Sequence, residues 1–255
     1  MKIVYLWGVD FHKVLGEELR GGNDSYVILP KNDPAFPEEQ QSAICTELGK
    51  RVIRVSYDQE EIAEVILAID PDVIISMGWR RILGKLLLER LGKRMFLNIH
   101  PAILPEYKGY HTEPYVIMND EKEHGITAHY LEEGLDSGDI FYQIRFPISK
   151  FSTTNSIKAQ VRERMPLFLR ELLSSIGSGK NHRVVQDECL NKVIAPKRRI
   201  EDSEIDPNKT LGELYNTIRA CDAKHYPAFF YVNGERVFIS IWRDENARRE
   251  HDLEI

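Results

Sequence analysis

The chain has 255 residues, 42% of them apolar and 29% charged, with a formal net charge of −6. That length allows one large domain, or one domain with a small appendage, and it is enough to bury a substantial core. The acidic balance argues against nucleic acid as the main partner, because phosphate binding needs a basic footprint, though a local basic patch stays open to a small anion.

The run Met1 to Gly8 is apolar but short, and Asp10 interrupts it. It reads as a first strand, Ile3–Trp7, rather than a signal peptide. Tyr26–Leu29 and Val52–Val55 read as further strands. Ile62, Val65, Ile66 and Ile69 recur at i, i+3, i+4 and i+7, one face of a helix that Pro71 ends. Val73–Ile75 is a buried strand, Ile82–Leu91 is helical, and Met95–Ile99 is the next strand. Strands alternating with helices predict an α/β fold: a doubly wound, Rossmann-like, mostly parallel sheet with helices on both faces. In such sheets ligands bind beyond the carboxyl ends of the strands.

After Gly125 the pattern changes. Ile126–Leu131 and Ile140–Ile148 alternate and read as two strands flanking a turn. Thr154 or Asn155 caps a helix through Ile157, Val161, Met165, Phe168, Leu169 and Leu172. Gly177–Asn181 is the clearest linker, which divides the chain into residues 1–180 and a small carboxyl-terminal part, 181–255. A charged stretch, 194–205, leads to a short helix, Thr210–Ala220. Ala228–Val232 and Arg236–Ile241 then bracket Asn233-Gly234, a strong hairpin signal. The tail from Arg243 is charged and reads as frayed or surface-bound.

No glycine fingerprint follows the first strand, so neither a nicotinamide nor a flavin cofactor is expected, and no Walker-type loop is present. Cys45, Cys189 and Cys221 lack metal spacing and cannot all pair, which reads as reduced thiols in a cytoplasmic protein. Eight histidines are scattered without metal-ligand spacing. No metal is expected, and most of them, His129 included, read as surface or packing residues. No run reaches the roughly 18 apolar residues that a membrane span needs.

The chemistry concentrates in residues 97–140. Asn98-Ile99-His100-Pro101 ends an apolar run, Leu104-Pro105 and Lys108-Gly109 follow, and Gly134-Leu135-Asp136-Ser137-Gly138-Asp139 closes the segment. Strand residues i and i+2 point the same way, so Asn98 and His100 face one cleft together. Asp136, between two glycines, lies in a turn able to bring a carboxylate back to that histidine.

This constellation resembles the catalytic core of the formyltransferases that use 10-formyltetrahydrofolate. The matching residues are Asn98, His100, Leu104, Pro105, Gly109 and Asp136. The resemblance covers roughly residues 1–180 in order of elements and is tight over 97–140. It implies a catalytic set of His100 as general base, Asp136 orienting its ring and Asn98 donating to an oxyanion. It also implies folate contacts from Met77, Gly78, Trp79 and Ile82. Without the resemblance, Gly78-Trp79 reads as a turn and a core anchor.

The resemblance is closest to the small nucleotide-sugar N-formyltransferases, which are related to methionyl-tRNA formyltransferase. It implies transfer of a formyl group to a dTDP- or UDP-linked 4-amino-4,6-dideoxysugar made for surface glycans such as the lipopolysaccharide O-antigen. The expected partners are that nucleotide-linked amino sugar, folate and a second copy of the chain. Lys108, Lys197, Arg198 and Arg199 are the candidates for the diphosphate and Tyr226 for the base. Set beside this, Lys197–Arg199 is an ordinary solvated charge run, and the aromatic cluster at 225–230 is the core of the small domain. Ala102 departs from relatives that carry a serine there. Methionyl-tRNA formyltransferase, a folate- or nucleotide-binding protein without catalysis, and a hydrolase releasing formate stay open as alternatives.

Overall fold

The computed structural model describes residues 1–8, 23–34, 36–37, 39, 41–42, 46, 51–179 and 182–241. The charged tail from Arg243 and part of the 177–181 linker lie outside the described residues, as does Cys45. The chain forms two compact units, each assembled from separate segments. The first comprises Met1–His100, Thr127–Gln143 and Arg164–Gln186, and the second Pro101–Ile126, Ile144–Glu163 and Asp187–Ile255.

The larger sheet has seven strands, most of them within the first unit. Its strands are β1 (Lys2–Trp7), β2 (Asp24–Pro30), β3 (Val52–Val55), β4 (Val73–Met77), β5 (Met95–His100), β7 (Glu123–Tyr130) and β8 (Ile140–Pro147), where β6 (Tyr107–Gly109) belongs elsewhere. The spatial order is β3-β2-β1-β4-β5-β7-β8. Strands β1 to β5 run parallel, and β7 joins β5 antiparallel. Ile3, Tyr5 and Trp7 on one face of β1 and Val4 and Leu6 on the other are all fully buried. Both faces of the sheet are therefore covered, as a parallel sheet requires.

On one face, helices α1 (Gln59–Ile69) and α2 (Lys85–Leu91) supply Ile62, Ala63, Ile66, Leu87 and Leu91 to a core with Val4, Leu6, Ile28, Val55, Ile74 and Phe96. Helix α1 starts where the Asp58 carboxylate accepts the Glu61 amide at 2.9 Å, and it ends at Asp70 in the left-handed conformation ahead of Pro71. The helix expected from Ile82 starts only at Lys85. Gly84 is extended at its N-cap, and this leaves Ile82 in the loop, 79% exposed.

Glu61 also receives hydrogen bonds from the Ser56 hydroxyl and from Lys31. Ser56 first, and Lys31 next, hold its carboxyl down to about 2. An unfolded glutamate titrates near 4.3, so this group adds stability above that pH and loses it as the pH falls towards 2. The pair is partly solvated, so Glu61→Gln is expected to cost under about 1 kcal/mol at neutral pH. Urea denaturation at about pH 7 and about pH 3 checks this: the gap between variant and parent must shrink in acid, and an equal gap at both values rules it out.

The first unit also carries the carboxyl-terminal half of helix α4 (Thr154–Gly177), in which Met165, Phe168, Leu169 and Leu172 are fully buried. The helix runs through Gly177, the first residue of the expected linker.

In the second unit, helix α5 (Leu211–Ala220) opens with a capping box. The Thr210 amide donates to Glu213, and the Glu213 amide returns to the Thr210 hydroxyl. Leu214 and Ile218 pack with Ile205, Cys221 and Ala228 against the hairpin β10 (Ala228–Val232) and β11 (Glu235–Ile239). Asn233 and Gly234 join these strands with φ of 51° and 84°. Two positive φ values are what a type I′ turn demands. Some short elements escape the sequence pattern. Strand β6 pairs in parallel with β9 (Val193–Ala195), and helix α3 spans Thr112–Met118. All three are too short for a periodicity to register. Gly109 permits the β6–β9 approach, since a Cβ there would lie 2.3 Å from the Ala195 carbonyl oxygen.

Candidate active site

The order of strands reverses between β1 and β4, the place where ligands bind in open α/β sheets. There Gly8 donates its amide to the Met77 carbonyl at 3.0 Å, and a Cβ on Gly8 would lie 2.2 Å from the Gly78 carbonyl oxygen. The glycine after β1 thus permits this close backbone approach. It sets the course of the loop that leaves β4. Met77 is buried, Gly78 is exposed with φ of 63°, and Trp79 packs against the helix-covered core. The indole Nε1 of Trp79 is buried without a hydrogen-bond partner among the described residues.

Beside this loop, β5 carries Asn98 and His100 at its carboxyl end. Parallel register sets Asn98 next to Ser76 of β4, and antiparallel register sets it opposite His129 of β7. The Ser76 hydroxyl donates to Asn98 Oδ1 at 2.8 Å. Asn98 Nδ2 then lies 3.1 Å from His129 Nε2. His129 Nδ1 lies 3.0 Å from the Tyr130 carbonyl oxygen, which can only accept. In the neutral ring the proton therefore sits on Nδ1, and Nε2 presents its lone pair to the Asn98 amide. A directed chain runs from Ser76 through Asn98 and His129 to the backbone.

Asp136 has φ of 48° in its turn. Its Oδ2 lies 3.7 Å from His100 Nδ1, and its Oδ1 lies 3.5 Å from His129 Nε2. The His100 distance is long for a hydrogen bond, and such a contact tightens when substrate closes a site; His129 Nε2, with no hydrogen in the neutral ring, meets Asp136 Oδ1 as one acceptor beside another. His100, His129 and Asp136 are all largely buried, with side chains 7%, 2% and 12% exposed. The carboxylate thus sits between two imidazoles. Gly138 shapes the turn, because a Cβ there would lie 1.9 Å from the Tyr130 carbonyl oxygen.

The structure brings Asn98, His100 and Asp136 together and adds two residues that the sequence pattern did not single out. Ser76 is the one polar side chain in the run Val73–Met77. His129 shares a strand face with Thr127 just before the Asp136 turn, and that placement on the strand feeding the turn was the available signal. Its register against Asn98 depends on strand pairing, which no local pattern reveals.

The remaining sequence candidates belong to the second unit. Lys108 is buried and pairs with Glu188 at 2.6 Å. The run Lys197-Arg198-Arg199 splits: Lys197 and Arg199 are exposed, whereas Arg198 is buried. Arg198 Nη2 donates to the Asp202 carbonyl and the Ser203 hydroxyl, both at 2.9 Å, so this guanidinium ties the local backbone together. Tyr226 is half-buried and sits edge-on to His111, ring centroids 6.2 Å apart. Burial pushes the His111 imidazole below its ordinary range. No group of three or more metal-ligating side chains occurs among the described residues. No described helix is long and apolar enough to cross a membrane.

The sequence model of the formyl transferase family matches residues 25–173, a span that includes Asn98, His100, His129 and Asp136. A methionyl-tRNA formyltransferase from Bacillus cytotoxicus is 31% identical over 263 residues, which cover all of this chain and 82% of that protein. A sugar N-formyltransferase from a Shewanella species shares the fold at a TM-score of 0.71 and 15% identity, over 94% of this chain and 97% of that one. HypX from Aquifex aeolicus, solved in complex with tetrahydrofolic acid, matches all of this chain with 40% of its own length, at a TM-score of 0.69 and 19% identity. The family match over more than half the chain and the full-length relative make this chain a member of the formyl transferase family, an enzyme of formyl transfer.

Proposed function

We propose that the chain transfers the formyl group of 10-formyltetrahydrofolate to the amino group of a dTDP- or UDP-linked 4-amino-4,6-dideoxysugar, a building block of surface glycans. The observation that carries the transfer reading is the meeting of Asn98, His100 and Asp136 at the carboxyl ends of β5 and the following turn. A folate suits the adjoining loop. Ile82 is left exposed, Gly78 bares its backbone and the Trp79 indole N–H is unpaired among the described residues. These features fit a flat heterocycle with polar edges, held by Met77, Gly78, Trp79 and Ile82.

Bound there, 10-formyltetrahydrofolate supplies an electrophilic formyl carbon. His100 turns Nδ1 to Asp136 and uses Nε2 to take the proton that the amine nitrogen sheds as its lone pair forms the new C–N bond. Asp136 stabilises the imidazolium so formed. Asn98 spends one Nδ2 hydrogen on His129 and directs the other at the formyl oxygen as that atom gains charge. His100 then returns its proton to N10 as the old C–N bond breaks. Atoms balance as formamide plus tetrahydrofolate.

The sugar acceptor is supported by the matching length of the Shewanella sugar N-formyltransferase and by the exposed cations Lys197 and Arg199. The net charge of −6 is the wrong sign for a tRNA partner. Residues 1–180 carry the chemistry in this reading, 181–255 contribute to the acceptor, and the working form is a dimer. A second reading, methionyl-tRNA as acceptor, is favoured by the 31% identity to the Bacillus cytotoxicus enzyme.

One assay separates them. The protein is incubated with 10-formyltetrahydrofolate and a panel of dTDP- and UDP-linked amino sugars, methionyl-tRNA and glycinamide ribonucleotide, and products are weighed by mass spectrometry. A single formyl group on a 4-amino sugar is the expected result. Formylated methionyl-tRNA with untouched sugars replaces the first reading by the second.

A further inference from the structure

After helix α4 the chain exposes two valines and buries a glutamine. Val184 and Val185 are 60% and 78% exposed, while Gln186 is 8% exposed. Hydrophobic burial alone gives the opposite order. Burying a primary amide is unfavourable unless its hydrogens are paired.

The pairing is local and specific. The Ile140 amide donates to the Val184 carbonyl at 2.8 Å, and the Val184 amide returns to Ile140 at 3.0 Å, an antiparallel bridge. Continuing that register sets Gln186 opposite Gly138. Gln186 Nε2 donates to the Gly138 carbonyl at 2.7 Å and to the Asp136 carbonyl at 2.8 Å. Both hydrogens of one amide are spent on the two carbonyls that flank Ser137. Its Oε1 accepts nothing among the described residues, so the donor end alone is used.

Those carbonyls belong to the turn that presents the Asp136 carboxylate. Asp136 holds a φ of 48°, a conformation that side-chain-bearing residues adopt at a cost. We propose that Gln186 is a positioning residue, an amide clamp that locks the Asp136 turn so that its carboxylate stays between His100 and His129. The proposal rests on the reading of Asp136 as part of the catalytic set.

Two substitutions of similar size test it. Gln186→Met keeps the volume and removes the donors, and Gln186→Glu sets an acceptor against two carbonyl oxygens. Hydrogen exchange needs no acceptor substrate. Both variants should exchange about ten-fold faster or more in peptides covering 131–141, with β1 and α1 unchanged. In the transfer assay each should lose about 10- to 100-fold in kcat, the scale of a misplaced catalytic group, with KM for 10-formyltetrahydrofolate within about two-fold. The double variant Asp136→Asn/Gln186→Met should be no slower than Asp136→Asn alone, because both act through one group.

Unchanged exchange in the turn overturns the proposal whatever the activity. Multiplying losses in the double variant overturn the action through Asp136. An inactive Asp136→Asn beside fully active Gln186 variants removes this inference and spares the catalytic reading. Asp136→Asn at parental turnover removes both.

Discussion

Replacing His100 by alanine is expected to lower formyl transfer by about 10²- to 10⁴-fold, the usual cost of losing a general base. The loss should fall on kcat, since in the proposed mechanism the ring acts on the amine proton rather than holding either substrate. The fold should survive, because β5 is paired on both sides, to β4 through Met95–Ile99 and to β7 through Leu97–His100. His100 is the last residue of that strand, and the substitution leaves every ladder hydrogen bond of the backbone in place. Single-turnover transfer, followed beside circular dichroism and thermal unfolding, separates chemistry from folding. Turnover within a few-fold of the parent, in a protein that melts normally, would remove His100 from the base role. It would leave His129, the second imidazole on Asp136, as the group to test next.

Legibility from sequence followed the range of the forces involved. Strands β1 to β5 and helix α1 announce themselves because burial on both faces demands continuous apolar runs and a helical stripe. The Asn233-Gly234 hairpin is legible because positive φ at two successive residues narrows the choice of residue. Asn98, His100 and Asp136 are legible as a motif, since i and i+2 on one strand share a face and the two glycines around Asp136 mark a turn. What stays hidden depends on which strand lies beside which. Ser76 and His129 join the site only through the β4–β5 and β5–β7 registers. Gln186 lies 50 residues from Asp136 and meets it through a single bridge. Arg198 looks identical to its neighbours as a letter, yet one of the three cations is buried while the other two face solvent. Charge runs report composition, and the fold decides which guanidinium has backbone to bind.

Asn98→Asp is expected to lower transfer by about 10²- to 10³-fold, the range seen when one oxyanion donor is lost. The exchange is nearly isosteric, so packing against Ser76 and His129 is kept and the effect is electrostatic. Ser76 continues to donate to the oxygen it already faces. The other position turns from a donor into a charged acceptor, 3.1 Å from His129 Nε2, whose lone pair pointed at the lost hydrogen. Two acceptors at that distance repel, and the ring relieves the repulsion by taking a proton at Nε2. His129 is then a cation between two carboxylates, and the formyl oxygen meets a negative charge where it had a donor. The two consequences are separable. Transfer kinetics report the lost donor, and the ¹⁵N shift of His129 Nε2 reports the proton gained at neutral pH. Slow transfer with a protonated His129 ring bears out both roles of the amide. Slow transfer with a neutral ring keeps Asn98 as the oxyanion donor but breaks the directed chain from Ser76 to Tyr130. Parental transfer takes the oxyanion away from Asn98 and makes its link to His129 a matter of folding alone.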